Sequence, residues 1–143
     1  MIKILTVLAI VFSLLSSEAD EKKVVIDTLT EETEAFCNKE FERWESHWFQ
    51  ENVSYKSYFR NAQFIEYDGW SEIRKFAQDY FTENPDPESI PEESRDYDIT
   101  IRDHLAWVKY QVKDSVRGNK KEYRRLIKIN GNWKISYMST VYD

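Results

Sequence analysis

The dipeptide Asn130-Gly131 stands between two runs of alternating apolar and polar residues, 122–129 and 133–142. Asn-Gly in that setting is the strongest short-range hairpin signal, because a two-residue type I′ turn needs positive φ at both central positions. A two-residue loop also sets a register: Ile129 opposite Asn132, Leu126 opposite Ile135, and Arg124 opposite Tyr137. Opposed residues share a face, and faces alternate along each strand. One face is therefore expected to gather Glu122, Arg124, Leu126, Trp133, Ile135, Tyr137, Ser139 and Val141. The other gathers Tyr123, Arg125, Ile127, Ile129, Lys134, Ser136 and Met138. The first is the more apolar near the turn and is expected to pack beneath helices.

Two more alternating runs precede this hairpin, at 97–102 and 104–113. In the second, His104 shares parity with Ala106, Val108, Tyr110 and Val112, and Trp107 has the opposite, outward parity. Upstream, 53–59 and 64–67 are rich in aromatic and β-branched residues and read as strands. Phe36, Cys37, Phe41, Trp44 and Trp48 recur at three- and four-residue steps, which predicts a helix over about 30–49, bent near Asn38. Thr28 and Glu31 have the spacing of a capping box ahead of it. Ile73, Phe76, Ala77, Tyr80 and Phe81 predict a second amphipathic helix, opening near Trp70 and ending before Pro85. Residues 84–98 hold all three prolines and many acids, which reads as a solvated loop. They lack the glycine-centred spacing of an EF-hand.

The N-terminus has a different character. Lys3 precedes an apolar run over 4–15, and Ser17 and Ala19 place small residues where a signal peptidase reads them. The run is 12 residues, against the roughly 20 that span a bilayer. The organisation expected is a signal peptide over 1–19, a loose charged leader over 20–28 and a single domain over 29–143. The mature protein is expected to be secreted or periplasmic, with cleavage after Ala19 and no stable membrane span.

Helices, a short hairpin, a helix and an antiparallel meander make an α+β order. Over about 29–142 the chain resembles the nuclear transport factor 2-like superfamily, in its SnoaL-like, polyketide-cyclase-like branch. The resemblance is carried by Trp44 and Trp48 ahead of Val53-Ser54-Tyr55, by Gly69-Trp70-Ser71-Glu72-Ile73, by Ala106-Trp107-Val108, and by Asn130-Gly131-Asn132-Trp133-Lys134-Ile135. It implies a conical barrel of strongly curved antiparallel sheet, helices packed on its concave face, a cavity at the wide end, and frequent dimerisation through the sheet. It does not fix an activity, since such proteins include isomerases, cyclases, dehydratases and non-catalytic binding modules. The paired Asp and Tyr of the ketosteroid-isomerase-like members are not placed on this chain.

A formal net charge of −6 argues against a general nucleic-acid binder, which needs a basic footprint. Cys37 is the only cysteine, so no intramolecular disulfide forms, and its place on the helix stripe reads as a small buried hydrophobe. The two histidines lie on distant segments without zinc-ligand spacing. Three glycines form no phosphate loop, and no nucleophile-elbow sequence occurs. No metal and no cofactor are expected. Aromatic residues make up 15% of the chain. Aromatic walls with a few convergent polar groups are how small-molecule cavities are built. The expected function is therefore binding of a small, partly apolar ligand by Tyr55, Tyr110, Arg124 and Tyr137, with Arg124 offering its charge to an anion. The enzymatic alternative is proton transfer on a carbonyl or polyketide-like substrate, with His104 as base and Tyr137 as donor. A third reading is a dimerisation or partner-binding module. Tyr123, Ile127, Ile129, Met138 and Trp107 have outward parity and no helix left to cover them, so a homodimer through the outer sheet face is expected.

Overall fold

The computed structural model describes the backbone of residues 2–93 and 96–143, and the side chains of 17–92 and 96–143. The signal reading of the apolar run at 4–15 lies outside the described side chains. Among the described residues no helix is long and apolar enough to cross a membrane.

Helix α1 runs from Ile2 to Cys37. It takes in the segment expected to be a loose leader, and the reason is a stripe at helical spacing that its charged neighbours obscure. Val25, Leu29 and Ala35 are fully buried and Glu32 almost so. Glu21, one turn before Val25, accepts hydrogen bonds from Lys128 Nζ at 2.5 Å and Trp133 Nε1 at 2.9 Å. Thr28 therefore sits inside the helix, its hydroxyl donating to the Val24 carbonyl at 2.9 Å, and caps nothing.

The helix expected over 30–49 is two helices. At the end of α1 the Glu40 amide donates to the Ala35 carbonyl at 2.9 Å and the Lys39 amide to that of Phe36 at 3.1 Å. Lys39 holds φ of 62°. This is a Schellman closure with a left-handed residue just past the helix. Helix α2 (Phe41–Ser46) then buries Trp44 in the core.

Strands β1 (Tyr55–Arg60) and β2 (Gln63–Asp68) form a hairpin. Helix α3 (Trp70–Glu83) follows Gly69, whose φ is 91°. A short β3 (Glu92–Glu93) precedes β4 (Asp98–Arg102), β5 (Leu105–Lys113), β6 (Lys120–Ile129) and β7 (Asn132–Tyr142). One seven-stranded sheet has the order β2-β1-β7-β6-β5-β3, with β4 also on β5. All pairs are antiparallel except β1 with β7. The helices lie against one face, giving the expected α+β class. The sheet is curved but open, because β2 and β3 at its ends do not pair.

The Asn130-Gly131 turn has two residues with φ of 50° and 82°, and Ile129 faces Asn132 and Leu126 faces Ile135. Beyond that point the expected register fails. A bulge between Arg125 and Leu126 sets Arg125 against Tyr137 and Arg124 against Met138. Ser136 is the extra residue, accepting from Arg125 Nε at 2.9 Å and donating to the Arg125 carbonyl at 3.2 Å. A bulge reverses facing. Met138 and Thr140 turn inward and are buried, while Tyr137 and Ser139 turn outward.

Candidate functional site

The inner face of the sheet and the helices above it enclose a cavity of about 260 Å³. Alternation on β5 and β6 delivers Tyr110, Glu122 and Arg124 to it, and Lys56 arrives from β1 opposite Met138. Phe36 from α1 and Phe76 and Tyr80 from α3 supply an aromatic wall. Phe36 stacks on Phe76 at 6.4 Å and 13° and on Tyr80 at 5.3 Å and 18°. The cavity reaches the surface at Arg60, which is exposed.

Behind this wall Trp44, Trp48 and Trp70 pack together, Trp44 at 5.9 Å from Trp48 and 5.8 Å from Trp70. The indole nitrogens of Trp44 and Trp48 donate to Glu32 Oε1 at 2.8 and 3.2 Å. Glu32 Oε2 faces Arg124 Nη1 at 3.4 Å. Arg124 Nε lies 3.4 Å from Glu122 Oε2, without hydrogen-bond geometry, and Glu122 also takes Lys120 at 3.3 Å and the Thr140 hydroxyl at 3.1 Å. Burial works against the Arg124 charge, but Tyr110, Glu32 and Glu122 outweigh it and hold the guanidinium protonated.

Lys56 is in a different position. It is 8% exposed, its Nζ has the Met138 thioether as hydrogen-bond partner at 2.9 Å, and it lies 5.4 Å from the Phe76 ring centre. Burial, then the nearby Arg124 guanidinium, pushes its ammonium down to about 8. Arg60 stacks over Tyr142 at 4.9 Å and donates to the Arg117 carbonyl at 3.3 Å. Among the described residues neither cation pairs with a carboxylate.

One rim of the cavity is tied by Glu88. It takes ion pairs from Lys39 and Arg117 and the Tyr80 hydroxyl at 2.6 Å. Burial first, then that hydrogen bond to Glu88, raises the Tyr80 hydroxyl to about 12. The Cys37 thiol is buried and pushed up by burial, which favours the neutral thiol over the thiolate.

The outer face carries a second set. Tyr55 stacks on Tyr137 at 5.6 Å and 13°, and the Arg125 guanidinium lies 5.9 Å from Tyr137 and 5.6 Å from Trp107. Asp98, Lys109 and Tyr123 complete a shallow hollow of about 510 Å³ beside Trp107 and Tyr137.

No protein-family model and no curated protein matches the sequence. Solved structures do. An NTF2-like protein of unknown function from Silicibacter pomeroyi aligns over 86% of this chain and 96% of its own, with TM-score 0.67 and 10% identity. An NTF2-like protein from Cytophaga hutchinsonii aligns over 85% and 98%, with TM-score 0.67 and 14% identity. A putative dehydratase from the NTF2-like family of Streptomyces avermitilis aligns over 88% and 98%, with TM-score 0.69 and 12% identity. The fold is NTF2-like.

Within this NTF2-like fold the sequence-predicted residues separate. Tyr110 and Arg124 line the inner cavity. Tyr55 and Tyr137 stack together on the outer face, where the bulge has carried Tyr137 away from Arg124. His104 is not on a strand. It occupies the exposed two-residue turn between β4 and β5, so it does not meet Tyr137 in the cavity. Met138, expected outside, lies inside. Sequence reasoning did not single out Glu32 or Lys56. Glu32 had a signal, since it sits three residues past Leu29 and four before Phe36 on the apolar stripe of α1. Lys56 had none, because its facing depends on the parallel pairing of β1 with the distant β7.

Proposed function

We propose that this chain is an exported SnoaL-like domain that binds a small, partly apolar molecule in the inner cavity. The observation that carries the reading is the make-up of that wall. Among the described residues, five cationic side chains and two carboxylates line it, in a chain of net charge −6, together with the flat rings of Phe36, Phe76 and Tyr80. Apolar surface with a few converging polar groups is the usual composition of a small-molecule site. Native mass spectrometry of protein purified from its own host tests it. A co-purifying small molecule, lost on unfolding, is the expected result, and a ligand-free mass together with no ligand-induced stabilisation counts against it.

Two other readings have an observation each. Proton transfer on a carbonyl substrate is supported by the likeness to the Streptomyces avermitilis protein. His104 and Tyr137 are poorly placed for it, being outside the inner cavity. A homodimer through the outer face is supported by exposed Trp107, Tyr123, Leu105 and Ile129.

A further inference from the structure

We propose that the inner cavity takes a small organic acid, its carboxylate seated on the Lys56 ammonium and its apolar body against the rings of Phe36, Phe76 and Tyr80. The proposal rests on the cavity being a small-molecule site and adds the ligand's class and its anchor.

Among the described residues, Lys56 is the side chain that lacks a counter-charge where one is most needed. An ammonium taken out of water needs an anion or strong acceptors to keep its charge. Its hydrogen-bond partner is a thioether, a weak acceptor. The two carboxylates in the wall are committed elsewhere: Glu32 to two indoles and Arg124, Glu122 to Lys120, Thr140 and Arg124. Arg124, which the sequence suggested as the anion's partner, is held between those same carboxylates. A ligand carboxylate beside Lys56 would supply the missing charge in the space that is open.

Geometry limits the rest of the ligand. One unpaired buried ammonium suits a monoanion better than a phosphate, which calls for several converging donors. The parallel rings of Phe36, Phe76 and Tyr80 present a flat apolar surface. A volume of about 260 Å³ lies below the roughly 300–1,000 Å³ of drug-sized sites, so a body of one or two rings fits. Arg60 at the mouth is a second cation with no carboxylate partner among the described residues, and it draws anions toward the opening.

The test compares 2-naphthoate with the neutral 2-naphthamide, titrated into wild type and Lys56→Met by calorimetry. Lys56→Met keeps the stem's volume and removes a buried charge; Lys56→Gln serves beside it should the first not fold. Wild type is expected to prefer naphthoate by about tenfold, the scale of one charge-assisted hydrogen bond. The variants are expected to bind both probes within about twofold of each other. Equal binding of both probes by wild type, or an unchanged preference in the variants, overturns Lys56 as the seat and leaves the cavity reading standing. If wild type binds neither probe, the cavity reading falls as well.

Discussion

Glu32 on α1 and Arg124 on β6 face each other at 3.4 Å with 5% and 4% of their side chains exposed. Removing one member of a buried pair leaves the other charge without compensation, at a cost of about 3–5 kcal/mol. Arg124→Met is expected to destabilise by that order in urea unfolding. Adding Glu32→Gln, which keeps an acceptor for Trp44 and Trp48, is expected to restore part of the loss. Strictly additive effects would show that the two are not coupled.

Lys56 predicts a pH dependence. Its ammonium is lowered from an ordinary 10.5 to about 8 by burial, with Arg124 adding to the shift and Glu32 and Glu122 opposing it. Between these values the unfolded chain binds more protons than the folded one, so stability rises with pH. The penalty is fully present below pH 8 and is relieved as pH climbs toward 10.5. Lys120 on β6 lowers the group further, and Tyr80 acts only from about pH 10 upward. Wild type is expected to gain on the order of 2 kcal/mol relative to Lys56→Met between pH 7.5 and 9.5. A parallel pH profile for the two proteins would place Lys56 in water.

Gly131 tests the hairpin. A Cβ there meets nothing within 4 Å, so any cost of substitution comes from its φ of 82° and not from a clash. Gly131→Val is expected to lose about 1–3 kcal/mol in urea unfolding, and Gly131→Asn, which tolerates positive φ, much less. Equal losses would mean that the turn is not the source.

Trp107 tests assembly. It is 48% exposed near the start of β5, opposite Arg125 and lining the hollow beside Tyr137. Sedimentation velocity is expected to find a dimer for wild type and a soluble monomer for Trp107→Glu. A wild-type monomer at high micromolar concentration rules out this interface.

Processing can be read directly by N-terminal sequencing of the mature protein, expected to begin at Asp20. Ser17 through Asp20 are exposed, and among the described side chains the first tied to the sheet is Glu21. The cut therefore spares every contact described above. Recovery of the full chain in washed membranes would oppose it.

The strands were legible because alternation and the Asn130-Gly131 turn are local signals. All four runs of the last third appear within two residues of their expected bounds, and the β5 parity of Ala106, Val108, Tyr110 and Val112 holds. The site was less legible because it depends on distant or small events. Ser136 carries no composition that marks a bulge, yet it moves Tyr137 from the cavity to the outer face. The bend expected near Asn38 is a full break at Lys39, which makes two helices of one without a glycine or proline to announce it. Val25 and Leu29 were hidden among charges that face solvent on the same helix.

The bulge at Ser136 has an evolutionary side. Ahead of it, Trp133 and Ile135 are anchored by the turn; beyond it, facing depends on that one extra residue. Closing the bulge with Ser136 taken into the ladder would leave the turn intact while exchanging Met138 and Thr140 for Tyr137 and Ser139 along the cavity floor. A lineage could in this way trade one ligand chemistry for another by changing how a single residue fits the ladder, without a series of substitutions along the cavity floor.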